Sequence, residues 1–417
     1  MNRKKQPNLI FIFSDQQHHR AMGAKDPFFK TPNLDGFAAT ATRFDKVYCA
    51  TPLCSPARAT LMTGRSPWKH GVVDNGIPLR EETIAQRLQR QGYYTAYFGK
   101  WHLGEDPAAI AGWDEKQGVY NEYKPPNRPL SDREVCDYAL EFISRADEID
   151  KPVALFISLD EPHGVYWAMP NSPYSKDFMN EPVVPENTPL PASWAERELP
   201  DGPPWDTYPM GNQKIYSETV RNSEAEAKRY RAVYRDCLTR FDRNLGELLD
   251  KLKQKQIFDD ALVMITTDHG DMDAAHRLIF KGPVPFEELH RIPLAVKLPN
   301  QKTGRVETNA LVSTADLPAT LLDYAGKPQA TEDGFSLRAV LEGTGLHERE
   351  EAIIQYPKPL IRSIRRGKWK YSRFPNGVEW LFDVEADPSE MKNLAADSEM
   401  KPVMKDLSRR IDAAVGR

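Results

Sequence analysis

Short apolar runs alternate with stretches of helical spacing along most of the chain. The runs cover Asn8 to Ser14, Tyr94 to Gly99, Val153 to Leu159, Ala261 to Thr267 and Pro293 to Leu298. Within each run, apolar residues stand next to one another instead of alternating with polar ones. That is the pattern of strands buried on both faces, and it predicts an α/β fold with a mostly parallel sheet flanked by helices. Between Glu224 and Leu252, Tyr230, Val233, Tyr234, Cys237, Leu238, Phe241, Leu245, Leu248 and Leu252 recur at helical spacing, predicting a long amphipathic helix packed on that sheet.

Two segments break the alternation. Gly164 to Met210 is rich in proline, with Trp167, Trp194, Trp205 and Tyr208 among the prolines. A loop this long in a compact domain is functional or disordered. Beyond Gly345, "AIIQYP", "IRSIRR", "KWKYSRF" and "EWLFDV" read as short antiparallel strands, followed by a terminal helix near Lys401 to Val415. The expected division is a catalytic α/β domain over 1–345 and a small α+β subdomain over 346–417.

Composition narrows the classes. The 417 residues suffice for a sizeable core, and a net charge of −4 argues against a nucleic-acid binder, so an anionic ligand needs a local basic pocket. The apolar stretch Leu9 to Phe13 is too short for a signal peptide or a membrane span and reads as a first strand. As written the chain is expected in the cytoplasm, or in the periplasm or outside the cell if a leader was removed. Of the four cysteines, Cys237 lies on the apolar stripe of the long helix, and Cys49 and Cys136 read as buried small hydrophobes. Cys54 differs, because it directly precedes Ser-Pro-Ala-Arg. Pro56 suits a first helical turn, so Cys54 sits at a helix N-terminus, where backbone N–H groups favour negative charge, with Arg58 one turn on.

Polar residues cluster where predicted strands end, the place where parallel α/β sheets bind ligands. The first ends in Asp15-Gln16 and the fourth runs into "TTDHGDM" with Asp268 and His269. An aspartate in such a place also caps turns; the pair at equivalent strand ends argues for a hard cation, Ca²⁺ or Mg²⁺. "YFGKWHLG" supplies Lys100 and His102, "DEPHG" supplies His163, and "HRLIFKG" supplies His276 and Lys281. A lone histidine is more often structural and a lone lysine more often solvated; their shared position at strand ends is what argues for chemistry.

"CSPAR" followed by "ATLMTGR" resembles the signature of the type I, formylglycine-dependent sulfatases of the alkaline phosphatase superfamily. The resemblance continues in order through "PNLIFIFSDQ", "TPNLD", "GKWHLG", "EPHG", "TTDHGD", "STADLPATLLDYAG", "DGFSL" and "LFDVEADPSEMKNLA", so it spans essentially the whole chain. It implies an alkaline-phosphatase-like fold and a sulfuric ester hydrolase. It further implies that a maturation enzyme oxidises Cys54 to formylglycine (3-oxoalanine), whose hydrate attacks sulfur and then collapses to expel sulfate.

By the same resemblance, Asp15, Gln16, Asp268, His269 and residue 54 would hold the cation, usually calcium. Lys100 and His102 would contact formylglycine and sulfate, with His102 the base for the collapse. His163 and Lys281 would neutralise charge on sulfate and the leaving oxygen, and Arg58 would polarise the nucleophile. His18 and His19, with Trp167 and His276, are expected at the substrate, a sulfated small molecule or, as with many relatives, a sulfated carbohydrate. Many sulfatases carry a second aspartate in place of Gln16 and an asparagine in place of His269. The Asp-Gln and Asp-His combination also resembles the phosphonate monoester hydrolases of the superfamily, which makes phosphonate or phosphodiester hydrolysis the alternative.

Overall fold

A computed structural model describes residues 6–104, 106, 109–121, 130–166, 184–195, 213–326, 331–358 and 360–416. Trp167 and most of the proline-rich stretch lie outside the described residues. The described chain builds an eight-stranded sheet flanked by helices, then a four-stranded antiparallel sheet and a terminal helix. The strands of the large sheet are β1 (Asn8–Asp15), β2 (Thr42–Tyr48), β3 (Tyr94–Lys100), β4 (Glu115–Tyr120), β5 (Val153–Pro162), β6 (Ala261–Thr267), β7 (Leu294–Lys297) and β8 (Arg305–Ser313). They stand in the order β4-β3-β5-β1-β6-β7-β2-β8.

The apolar runs become the middle of this sheet, and their burial on both faces is visible in β1. Leu9, Phe11 and Phe13 enter the core on one face, and Ile10 and Ile12 enter the core on the other. Burying each such side chain contributes about 2 kcal/mol. On the second face lie Val135, Cys136, Ala139, Phe142 and Ile143 of the helix Asp132–Arg145, and Phe241, Leu245, Leu248, Leu249 and Leu252 of the helix Glu224–Gln254. The first turns of that long helix instead pack Tyr230, Val233, Tyr234, Cys237 and Leu238 into a separate cluster with Phe29, Val165, Tyr166 and Phe280.

Two features of the sheet depart from the sequence reading. The run at Pro293 to Leu298 forms the short strand β7, but it lies antiparallel to both neighbours, β6 and β2, in a sheet whose other pairings are parallel. Strands β2, β4 and β8 were not anticipated. "TRFDKVY", "EKQGVY" and "RVETNALVS" mix charged and apolar residues because β4 and β8 are the sheet's edges and β2 is next to one.

At the end of β3, Gly99 has φ +100°, and a Cβ there would fall 2.0 Å from the Ser158 carbonyl oxygen of β5. The close approach of the two strands just before Lys100 therefore requires glycine. Gly99→Ala is expected to cost about 3 kcal/mol or more through backbone strain and overlap, read as a lowered thermal midpoint with reduced soluble yield.

The C-terminal strands β9 (Glu351–Tyr356), β10 (Ile361–Arg366), β11 (Trp369–Arg373) and β12 (Glu379–Asp383) form the antiparallel sheet in the order β12-β11-β10-β9. The terminal helix Lys401–Val415 lays Met404, Leu407 and Ile411 on Ile364, Tyr371 and Leu381. Trp380, Phe382 and Phe374 meet Met272, Val284, Phe286 and Leu289 from the loop after β6. Buried Lys370 is ion-paired to Glu287 (3.2 Å) and Glu390 (2.7 Å) at the same junction. The small sheet thus buttresses the loop that carries Lys281.

Candidate active site

Strands β3, β5, β1 and β6 are neighbours and parallel, so their carboxyl ends line up along one edge of the sheet. Lys100 ends β3, Asp160 and His163 stand at the end of β5, Asp15 ends β1, and Asp268 and His269 follow β6. Cys54 is the first residue of the helix Cys54–Thr63, every residue of which is buried. The helix points its N-terminus, with its free N–H groups and positive dipole end, at this row.

Ligand atoms of Asp15, Cys54, Asp268 and His269 all lie within 4.8 Å of one another. Arg58, buried one turn into the helix, divides the two carboxylates by function. Its Nη2 reaches Asp15 Oδ2 at 2.9 Å and its Nε reaches Asp268 Oδ2 at 3.0 Å. Its Nη1 donates to the Lys100 carbonyl and to Ser158 Oγ, each at 2.7 Å. The second oxygen of each aspartate faces inward, both Oδ1 atoms standing 3.7 Å from His269 Nε2. Cys54 Sγ lies 3.3 Å from that same nitrogen and 3.6 Å from Asp15 Oδ1. His269 Nδ1 lies 3.0 Å from the Gly270 carbonyl, an acceptor only, so Nδ1 carries a proton. Burial lowers the ring's proton affinity, but the Asp268 carboxylate outweighs it and raises it, so a cation at Nε2 would have to displace a proton.

Charge is crowded here. Burial, then the Asp15 carboxylate, pushes the Asp268 carboxyl up to about 6. For Asp15, burial raises the value, but Lys100, His163 and Arg58 outweigh it and hold the group well below the usual range. Burial and Asp15 both oppose ionisation of the Cys54 thiol; Lys281, His269 and Lys100 override them and bring it well below an ordinary thiol.

The cations around this centre are held firmly. Lys100 Nζ sits 2.8 Å from Asp15 Oδ2 and 2.7 Å from Asp160 Oδ1. Lys281 Nζ donates to Gln16 Oε1 at 2.5 Å and lies over the Tyr166 ring, 5.1 Å from its centroid. His163 packs on Tyr166 with ring centroids 4.7 Å apart, and its Nδ1 stands 3.8 Å from Asp160 Oδ1. Burial, then Lys100 and Lys281, lowers its proton affinity. His102, buried with φ 58°, accepts a hydrogen bond from Ser55 Oγ through its carbonyl, tying it to the Cys54 helix.

Several contributors escape sequence reasoning. Asp160 lies inside the "DEPHG" motif but was passed over for its histidine. Tyr166, whose hydroxyl hydrogen-bonds the Gln16 side chain, had no signal beyond following that motif. Asp132 caps the end of β5, its carboxylate accepting from the backbone N–H groups of Asp160 (2.6 Å) and Glu161 (3.0 Å). It comes from a helix start far away in sequence.

Of the residues expected at a substrate, His18 is buried, 3.3 Å from Asp273 and stacked on Tyr234 (5.6 Å, 15°), and His19 is half-buried beside it. Trp167 lies outside the described residues. His276 departs from the expectation: its ring stacks on Phe286 at 3.8 Å and 11°, at 1% exposure, under the C-terminal sheet. The residue that follows the "TTDHGDM" turn faces inward because the loop folds back to meet that sheet.

Buried neutral histidines have a measurable consequence. Burial, then Lys370, holds His276 down at about 3, and burial holds His70 at about 4. An unfolded histidine titrates near 6.5, so the unfolded chain takes up protons that the fold refuses. Their stabilising effect is complete above pH 6.5 and is lost as pH falls toward 4. At pH 5 each contributes a loss of about 2 kcal/mol relative to neutral pH. Denaturant midpoints should therefore fall between pH 7 and pH 5, with His19, His163 and His290 acting in the same sense, and His276→Leu should remove about 2 kcal/mol of that dependence.

The Sulfatase family model matches residues 7–327, and a second model, N-sulphoglucosamine sulphohydrolase, C-terminal, matches 276–416. The chain is 30% identical to a choline-sulfatase of Rhizobium meliloti, covering 93% of this chain and 82% of that one. It is 27% identical to an ulvan-active sulfatase of Formosa agariphila, covering 97% and 80%. Among solved structures, a 2-O GAG sulfatase matches in fold with a TM-score of 0.81 at 22% identity over 99% of this chain and 92% of that one. The phosphonate monoester hydrolase of Agrobacterium radiobacter matches with a TM-score of 0.75 at 22% identity over 98% and 96%. With a family model covering most of the chain and relatives named as sulfatases matched over most of their length, the chain belongs to the sulfatase family of sulfuric ester hydrolases.

Proposed function

We propose that this enzyme hydrolyses a sulfate monoester on a carbohydrate, with residue 54 oxidised to formylglycine by a maturation enzyme and a Ca²⁺ ion beside it. The observation that carries the reading is the convergence of Asp15, Asp268 and His269 on Cys54, with Lys100 and Lys281 around them. The residues fit a divalent cation. Arg58 takes one oxygen of each aspartate and turns the other toward the cluster, where the Gln16 and His269 backbone N–H groups steady Asp268 Oδ1. His269 Nε2 faces the same point, and the elevated Asp268 carboxyl marks negative charge that a dication would relieve. Asp15, Gln16, Asp268 and His269 would hold it, and Mg²⁺ suits the same donors less well because it demands tighter octahedral geometry.

When bound, the ion supplies a fixed positive charge that acidifies the nucleophile and draws charge from the ester. Formylglycine at position 54 would supply an oxygen nucleophile with an exit that a plain thiol or hydroxyl lacks. The side chains do the rest. Lys100, locked between Asp15 and Asp160, stays charged and binds a sulfate oxygen, and Lys281 does the same from the opposite loop. The ester's negative charge, entering between the two lysines, screens them and returns proton affinity to His163, which then protonates the leaving alcohol. His102, tied to the Cys54 helix through Ser55, would be the base that takes up a proton at residue 54 as sulfate departs. The net reaction consumes one water and releases alcohol and hydrogen sulfate. On this reading residues 1–345 are the catalytic domain and 346–417 the subdomain that supports the Lys281 loop.

A second reading has a specific motive. Gln16 and His269 replace acids or amides more usual in sulfatases, and a phosphonate monoester hydrolase shares the fold. The deciding experiment compares kcat/KM for an aryl sulfate and the matched aryl phosphonate ester, using protein made with a maturation system and loaded with Ca²⁺. Sulfate should be preferred by roughly tenfold or more; a reversed ratio would transfer the enzyme to the phosphonate group. Activity should also vanish with a chelator and return on adding Ca²⁺, and activity that survives exhaustive chelation contradicts the cation.

A further inference from the structure

We infer that Asp271 is a positioning residue that decides which end of the Gln16 amide faces the cation, an inference that rests on the cation reading above. Gln16 is fully buried just past β1, in the left-handed region with φ 73°. Its backbone is pinned, the N–H donating to Asp268 Oδ1 at 3.1 Å and the carbonyl accepting from Tyr234 at 2.7 Å. What remains free is the half-turn of its side-chain amide, and that half-turn exchanges a ligand oxygen for an NH₂ group with no lone pair to give a cation.

Two neighbours of opposite chemistry remove that freedom. Asp271 Oδ2 lies 2.6 Å from Gln16 Nε2, and an ionised carboxylate only accepts. Lys281 Nζ lies 2.5 Å from Gln16 Oε1, and an ammonium only donates. The Tyr166 hydroxyl, which can do either, imposes nothing. Asp271 is held in turn by the Tyr230 hydroxyl, 3.0 and 2.8 Å from its two oxygens, and by the Asp273 backbone N–H at 2.7 Å. Tyr230 belongs to the helix Glu224–Gln254, so an element that contributes nothing to the metal cluster sets the direction of one of its proposed ligands. A carboxylate in place of the amide would need no such control, because its two oxygens are equivalent.

Calcium titration by calorimetry at pH 8, on wild type, D271N and the double variant Q16E/D271N, tests this, with thermal melting of the metal-free proteins alongside. In D271N the Asp273 N–H holds the new amide oxygen on its own side and turns the new NH₂ toward Gln16, which favours the wrong orientation against Lys281, so Ca²⁺ affinity should fall about tenfold or more. In Q16E/D271N no wrong end exists to present, so affinity should return to within about threefold of wild type. Wild-type affinity in D271N overturns the inference, as does a loss that persists in the double variant, since a loop merely collapsed by losing Asp271 is not repaired at position 16. A wild type that binds no Ca²⁺ overturns the cation reading and this inference with it, whereas failure in the variants alone leaves that reading standing.

Discussion

Cys54→Ala should reduce turnover of any sulfate ester by roughly 10⁴-fold or more while leaving the fold intact. On the proposed mechanism the loss is large because residue 54 supplies the nucleophile, and no neighbouring group can replace it. The residues around the thiol are carboxylates already committed to Arg58, lysines held as cations, and a histidine whose Nε2 faces the cluster centre. The structural cost is small: deleting one buried sulfur leaves a cavity worth about 1 kcal/mol. Initial rates on an aryl sulfate, with melting curves for both proteins, check the two halves separately. Wild-type protein from a host lacking the maturation system should behave like the variant, and mass spectrometry of its Cys54 peptide should show a thiol where active protein shows an aldehyde. Full activity with an unmodified thiol would remove formylglycine from the mechanism.

Arg58→Ala should be the most destabilising single change at the site, by about 3–5 kcal/mol. The guanidinium makes four contacts at once: both aspartates, the Lys100 carbonyl and Ser158. Removing it leaves Asp268 a buried carboxylate without its guanidinium and Asp15 with Lys100 alone, and takes a donor from Ser158 and from the Lys100 carbonyl, which keeps the Tyr97 hydroxyl. Lysine is no substitute, since a point charge cannot bridge two carboxylates in the plane of the fork. The two aspartates also give the prediction a signature. Because a dication takes over part of the lost compensation, Ca²⁺ should raise the melting temperature of Arg58→Ala by more than it raises that of wild type. An equal shift in the two proteins would mean that Arg58 and the cation do not share the carboxylates.

These predictions draw unequally on sequence and structure. The central strands were legible because residues buried on two faces must be apolar throughout, and β6 coincides with its apolar run while β1, β3 and β5 extend one to three residues beyond theirs. The long helix and the terminal helix were legible through their period. Edge strands β4 and β8 were not, since a half-exposed strand has no continuous apolar run, and the direction of β7 was not, because pairing sense is set by neighbours distant in sequence.

For the site, predicted strand ends, the helix start at Cys54 and the motifs shared with a known family together singled out the candidate residues, since strand ends in a parallel sheet converge. Asp15, Cys54, Arg58, Lys100, His163, Asp268, His269 and Lys281 are candidates legible in the sequence, and the fold gathers them at one edge of the sheet. What only the tertiary structure decided is how each is held. Arg58 spans both carboxylates, Asp160 locks Lys100, Asp132 caps the end of β5, Asp271 meets Gln16, and His276 turns away beneath the C-terminal sheet. The division has a physical cause. Residue type and local period report on burial and reactivity, which are properties of one position. Orientation, charge pairing and proton affinity depend on groups that folding brings together from hundreds of residues apart.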